Sequence, residues 1–238
     1  MNIFDVIGPA MVGPSSSHTA GACRIGQAAR RLLNEPVAKA DILLHGSFAT
    51  TGKGHGTDKA LAGGLMGFAV DDPRIREALA IAAVEKLNIH FAAADLGPFA
   101  HPNTARLLLS GRTGKQLTVT ACSIGGGRIE IREIDGLKAV FSCDHPTLIV
   151  QNDDAPGEIA KVTSVLADKG INIATMQLDR DNRGGHAVCV FELDQELERT
   201  ELDYLTQQQG ILKVTAKINA RASARPILAA SISPRLAA

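Results

Sequence analysis

The feature that most limits what this chain can fold into is the order of patterns after Pro146. Thr147–Val150 is strand-like, and Ala155–Asp168 carries Ile159, Val162, Val165 and Leu166 at helical spacing, with Gly170 as a stop. Ile171–Leu178 and His186–Leu193 read as strands joined by the turn-like run Asp181-Asn182-Arg183-Gly184-Gly185. Leu197–Gln208 then reads as a second helix and Ile211–Ile218 as a last strand. The order βαββαβ predicts the split βαβ, ferredoxin-like unit. A unit of this kind binds rather than reacts. Its first strand and helix are joined by Asn152-Asp153-Asp154-Ala155-Pro156-Gly157, where Pro156 and Gly157 free backbone amides for a ligand or a neighbouring subunit.

The residues before Pro146 follow a different plan, with Gly/Ser/Thr/His loops between apolar stretches. Ile25, Ala28, Ala29, Leu32 and Leu33 predict an amphipathic helix from about Ala20 to Leu33. Asp41–His45 reads as a strand, Thr57 or Asp58 as the cap of a helix through Leu65, and Asn103 or Thr104 as the cap of another through Leu109. Leu117, Val119 and Ala121 alternate, as do Ile129 and Ile131, with Gly125–Gly127 as a hairpin-like link. The expected layout is a mixed α/β domain over 1–144, the βαββαβ unit over 145–219, and a disordered Ala/Ser/Pro/Arg tail over 220–238.

With 45% apolar but only 3% aromatic residues, packing falls to Ala, Leu, Ile and Val. Lys plus Arg and Asp plus Glu balance at 25 each, so charge gives no reason to expect nucleic acid or membrane as partner. The opening MNIFDVIGPAMV lacks the basic and long apolar regions of a signal peptide, which makes a cytoplasmic protein the expectation. Cys23, Cys122, Cys143 and Cys189 stand in no ligand pair, so they are expected as free thiols packed as small apolar groups, with no metal ligands on this chain.

Three polar clusters are hard to explain as packing. Gly13-Pro14-Ser15-Ser16-Ser17-His18-Thr19 stands at a helix start, where free N–H groups and the positive dipole end favour a carboxylate or phosphate. An ordinary cap is the alternative, but capping needs one hydroxyl, not four and a histidine. Gly46-Ser47 and Thr50-Thr51-Gly52-Lys53-Gly54-His55-Gly56-Thr57-Asp58 form a second cluster. It misses the G-x-x-x-x-G-K-[ST] phosphate-loop pattern, and it offers an imidazole suited to taking a proton near neutral pH, or else a turn whose histidine faces water. The third, His101-Pro102-Asn103-Thr104 with Ser123-Ile124-Gly125-Gly126-Gly127, reads alone as turn chemistry. His45, His90, His145 and His186 are read as structural.

In this order and at these spacings, the motifs Ser15–Thr19, Gly52–Asp58, His101–Thr104 and Ser123–Gly127 resemble the β domain of iron–sulfur-dependent L-serine dehydratases. The second unit resembles an ACT domain through Asp154-Ala155-Pro156-Gly157 and Gly170-Ile171-Asn172-Ile173. The resemblance implies a β domain similar in fold to the substrate-binding regulatory domain of some phosphoglycerate dehydrogenases. It implies conversion of L-serine to pyruvate and ammonia with a [4Fe–4S] cluster, whose cysteine ligands lie on a separate α subunit in a hetero-oligomer. An iron site with an open position acts there as Lewis acid on the β-hydroxyl. On that reading His55 is the leading candidate for the base, and Ser15, Ser16, Ser17, His18 and Thr19 form a carboxylate cradle. Lys53, Asn103 and Ser123 are candidates for lining the pocket, and Asp154, Gly157 and Asn172 for holding a small-molecule effector. Two rivals stay open: a non-catalytic serine-sensing subunit, and a pyridoxal-phosphate lyase with Lys53 as the Schiff base.

Overall fold

The computed structural model describes residues 9–216 of the chain, so the expectations for the opening residues and for the tail 220–238 lie outside the described residues. Two sheets organise them. The first has six strands in the order β2-β1-β3-β4-β5-β6: β1 Val37–Leu44, β2 Asn88–Ala93, β3 Thr104–Gly111, β4 Gln116–Gly125, β5 Arg128–Ile134 and β6 Leu137–Phe141. Only the β1–β2 pair is parallel; the segment between those strands crosses over through helices. Those helices are the short turns α2 (Ser47–Thr50) and α3 (Gly52–His55), then α4 (Thr57–Met66), a 3₁₀ turn and α5 (Ala78–Val84). Before β1 comes α1, Ala22–Leu33, entered through one π-helical turn over Ser16–Gly21.

Helices α1 and α4 cross at very short range. A Cβ at Gly64 would stand 2.0 Å from the Cys23 carbonyl, and one at Gly26 would stand 2.5 Å from the Leu61 carbonyl. Small residues at the crossing therefore let two backbones touch. Around it Ile25, Ala28, Ala29, Ala60, Leu61 and Leu65 are completely buried against Ala40, Ile42, Leu107 and Ile131 of the sheet. Aliphatic residues dominate this core as composition predicts, with Phe48, Phe68 and Phe141 buried among them.

The helix expected from Asn103 or Thr104 through Leu109 is instead the strand β3. Its run Thr-Ala-Arg-Leu-Leu-Leu is apolar enough for either state. What decides is the ladder with β4, which sets Leu109 against Leu117, Leu107 against Val119 and Ala105 against Ala121. Ala105, Leu107 and Leu109 are buried while Leu108 faces out, the period of two that a strand requires. Strand β2, α5, the 3₁₀ turn and β6 are elements that the sequence patterns do not identify.

The second sheet, in the order β10-β7-β9-β8, is antiparallel throughout. It comprises β7 Thr147–Asp153, β8 Ile173–Arg180, β9 His186–Leu193 and β10 Ile211–Ala216, with α6 Glu158–Asp168 and α7 Arg199–Thr206 on one face. This is the expected βαββαβ, ferredoxin-like unit. Helix α6 starts later than the predicted Ala155 because Asp154–Gly157 forms a turn that ends in the left-handed Gly157. The other face of the sheet places Ile149, Val188 and Val190 in the core of the first unit. Carboxylates fasten the seam: Asp179 accepts from the Lys138 N–H at 3.0 Å, and Glu192 accepts from the Ser142 and Thr175 hydroxyls at 3.0 and 2.9 Å.

Candidate active site

The Gly52–Asp58 motif meets the start of the first helix directly, Ser123 packs behind that turn, and Pro102 and Asn103 join through Gly46, Phe48 and Ser123. Ser15 is the N-cap: its backbone is extended, and its hydroxyl oxygen accepts from the His18 N–H at 3.1 Å while Thr19 N–H donates to the Ser15 carbonyl. Ser16, Ser17 and His18 are thus the first helical turn itself rather than a loop before it. The amides and hydroxyls of Ser16 and Ser17 have no hydrogen-bond partner among the described residues, and both side chains are half-buried. Free amides at a helix start with hydroxyls beside them are suited to an anionic oxygen.

Two threonines strap this turn to the loop that carries His55. Thr19 donates to the His55 carbonyl at 3.2 Å, and Thr57 donates to the His18 carbonyl at 3.0 Å. Both are buried, so the two histidine backbones are held against each other from both sides. Their rings stand 4.9 Å apart between centroids, and the edge of Phe48 packs on His18 at 5.2 Å. Burial lowers the His18 pKa from its ordinary value; contact with Ser47 opposes this and the His55 ring adds to it. Burial of the ring therefore favours its neutral form.

Nδ1 of His55 lies 3.0 Å from the Thr51 carbonyl. A carbonyl oxygen only accepts, so Nδ1 carries a proton, and in the neutral ring the lone pair is then on Nε2. Nε2 has no hydrogen-bond partner among the described residues, and the side chain is half-buried. A nitrogen in this state can accept a proton from a small molecule held at the Ser16–Ser17 turn.

The His101–Thr104 and Ser123–Gly127 motifs pack around this assembly through Gly46, Phe48 and Gly21. Pro102 closes on Gly46, whose Cβ would meet the Pro102 carbonyl at 2.7 Å, and the Phe48 N–H donates to that carbonyl. The Asn103 N–H donates to His101 Nδ1 at 3.1 Å and the Asn103 carbonyl accepts from Ser123 N–H at 3.0 Å, leaving its half-buried side-chain amide with no partner among the described residues. Ser123 is completely buried beneath the turn, where a Cβ at Gly21 would stand 2.1 Å from its hydroxyl. It supports the turn from behind instead of facing an open pocket. Lys53 also stands apart: it is exposed, and two residues from His55 on one helical turn it points elsewhere. Ser47 and Thr51, adjacent to His18 Nε2 at 3.1 and 3.2 Å, belong to the site although they were read only as part of a loop. Their signal was their place in the Gly46–Asp58 cluster.

In the second unit the expected effector residues do not meet. Asp154 and Gly157 precede α6, whereas Asn172 follows it, and the eleven residues of that helix rise about 16 Å. Asp154 already accepts from Arg180 Nη1 at 2.8 Å and Gly184 N–H at 2.9 Å, which hold its carboxyl below the usual range. Asn172 donates to Asp194 at 2.8 Å.

The thiols do not fit a cluster. All four cysteines are free and buried, spread over both cores, and burial pushes Cys23 and Cys189 up to about 12, far from the thiolate that iron requires. Among the described residues no group of three His, Cys, Asp or Glu side chains is placed to hold a metal ion, and no helix is long and apolar enough to cross a membrane.

Residues 2–94 match the family described as serine dehydratase beta chain, and residues 147–207 match the ACT domain. The chain is 44% identical over 214 residues to the probable L-serine dehydratase, beta chain, of Bacillus subtilis, covering 90% of this chain and 96% of that one. It is 38% identical over 194 residues to the L-serine dehydratase, beta chain, of Peptoniphilus asaccharolyticus, covering 82% and 87%. A D-3-phosphoglycerate dehydrogenase of B. subtilis is 29% identical over 194 residues, 81% of this chain but 36% of that enzyme. With the motifs gathered at one helix start and relatives matched over nearly their whole length, this chain belongs to the L-serine dehydratase beta-chain family and carries an ACT domain.

Proposed function

We propose that this chain is the substrate-binding and proton-accepting half of a two-chain L-serine dehydratase. Its α subunit holds the [4Fe–4S] cluster, and residues 145–219 form an effector-binding unit. The observation that carries the reading is the pairing of a base nitrogen on His55 with unoccupied donors on the turn to which His55 is strapped. Serine presents its carboxylate one bond from the carbon that must lose a proton, so a carboxylate site and a base must be neighbours.

In this scheme the amides and hydroxyls of Ser16 and Ser17 bind the carboxylate, with Ser15 holding the turn in shape. Neutral His18 and the Asn103 side chain complete the polar wall. His55 Nε2 takes the Cα proton, the electron pair left on Cα forms the Cα–Cβ double bond, and the Cβ–O bond breaks with its electrons on oxygen. The hydroxide so released and the proton taken from Cα together make up the one water lost. The aminoacrylate tautomerises and hydrolyses to pyruvate and ammonia. The cluster, when present on the partner, supplies a Lewis acid for the departing hydroxyl.

The test is reconstitution. The chain alone should form no pyruvate from serine, and anaerobic mixing with the cysteine-bearing chain, iron and sulfide should produce it. Iron-dependent turnover by this chain alone would defeat the two-chain reading. Full turnover by the partner alone, altered only in its serine dependence when this chain is added, would make this a sensing subunit.

A further inference from the structure

The contacts around His18 bear on which of its nitrogens carries the proton: the Ser47 backbone bonds the ring, and the Thr51 and Ser47 hydroxyls lie beside Nε2. Thr51 Oγ1 donates its single proton to the Ser47 carbonyl at 2.9 Å, so toward every other neighbour it can only accept. His18 Nε2 lies 3.2 Å from that oxygen and 3.1 Å from Ser47 Oγ, and the two hydroxyl oxygens are themselves 3.1 Å apart. If Nε2 were unprotonated it could accept from the Ser47 hydroxyl, but its lone pair would still face Thr51 Oγ1, whose proton is spent on the Ser47 carbonyl. With the proton on Nε2, both contacts become favourable: Nε2–H donates into the pair, and Ser47 O–H donates to Thr51. At the other edge of the ring, Ser15 Oγ already accepts from the His18 N–H, so its own hydroxyl proton is available to Nδ1 at 3.4 Å.

The same residue sets the other ring through its backbone, since the Thr51 carbonyl accepts from His55 Nδ1 at 3.0 Å. We infer that Thr51 is a positioning residue that holds the two histidines in opposite tautomers: Nε2–H on His18 through its hydroxyl, and Nδ1–H on His55 through its carbonyl. A mere packing role would need only the methyl group. The consequence is a division of labour. His55 keeps a lone pair on Nε2, while His18 turns a donor toward the Ser47–Thr51 pair and a lone pair toward the Ser15 hydroxyl, so the two rings do not compete as bases.

This inference deepens the proposed function and rests on it for its purpose, but ring-nitrogen NMR on the full chain, labelled with ¹⁵N-histidine near pH 7, tests it without turnover. The wild type should show the Nε2–H form for His18 and the Nδ1–H form for His55. Thr51→Val keeps the shape and the carbonyl but removes the hydroxyl, so His18 should lose its single tautomer while His55 keeps its own. Thr51→Ser should restore the wild-type pattern. Ser47→Ala, which leaves the Thr51 oxygen in place, should keep Nε2–H on His18. A wild-type His18 in the Nδ1–H form, or a His18 signal unmoved by Thr51→Val, would overturn the assignment. Failure of the catalytic reading would show itself separately, as unimpaired turnover by a His55 variant although the wild-type ring pattern is as stated.

Discussion

At Ser15 a helix begins with a side-chain cap, and the next two residues keep amides and hydroxyls with no partner among the described residues. At Gly157 another helix begins without a side-chain cap, on a left-handed glycine, and the acid beside it is already bonded to Arg180 and Gly184. Both loops look equally suited to an anion when read as sequence. The difference is what the surrounding fold does with the donors. In the first unit the threonine straps hold the backbones and leave the functional groups open. In the second, the polar side chains close the unit's own turns, with Asn172 tied to Asp194 at the opposite end of the sheet. At the two helix starts, then, the donors of Ser16 and Ser17 stay without a partner among the described residues, while Asp154 is bonded to Arg180 and Gly184 of its own unit.

The largest effect that can break this comparison is at the open donors. Replacing Ser16 and Ser17 together with Ala removes two hydroxyls from the proposed carboxylate site, each worth roughly 1.5–3 kcal/mol as a hydrogen bond to a charged group. In the assembled enzyme kcat/KM for serine should fall at least about ten- to a hundred-fold. Arg180→Ala removes an exposed partner from the second unit and should leave kcat within about two-fold. Equal losses from both would erase the distinction.

A smaller effect sharpens the role of the support beneath the turn. Gly21→Ala drives a methyl into the Ser123 hydroxyl, 2.1 Å away, and overpacking of this kind costs about 1–3 kcal/mol. A lower Tm should accompany weaker serine binding, measured by thermal unfolding and steady-state kinetics on the same preparation. Unchanged values of both would mean that the turn is not held from behind by Ser123.

The smallest effect is electrostatic. Since burial lowers the His18 pKa from the ordinary 6.5, its ring resonances should titrate below that value. The sign follows by linkage: the unfolded chain takes up the proton first on acidification. The folded state therefore has the full contribution above about pH 6.5 and loses it as pH falls through the folded value. Titration of His18 at or above 6.5 would contradict the neutral imidazole in the site.

Legibility in the sequence differed by region for the same reason. The second unit was readable almost element by element, because its strands and helices keep their own period and its turns carry Gly and Asn. In the first unit β3 was misread, since Leu107-Leu108-Leu109 fits a helix until pairing with β4 selects the alternate residues. Residues 66–102 were unreadable for lack of any clear period. The polar motifs announced a site, but not its inner geometry. That Ser123 lies behind the turn at Gly21, or that Thr51 reaches His18 across 33 positions, depends on contacts between residues far apart in the chain, which no local pattern encodes.

His55 carries the central claim, and its replacement tests it most directly. In the reconstituted enzyme His55→Ala should lower kcat by about 10²–10⁴ with the partner's cluster spectrum retained, because a positioned general base is lost while the donors at Ser16 and Ser17 remain. The acidic limb of the pH–rate profile should change or vanish, and any exchange of solvent deuterium into unreacted serine should stop. A raised KM with only a modest fall in kcat, the acidic limb unmoved and exchange continuing, would contradict the account and move the base to the α subunit.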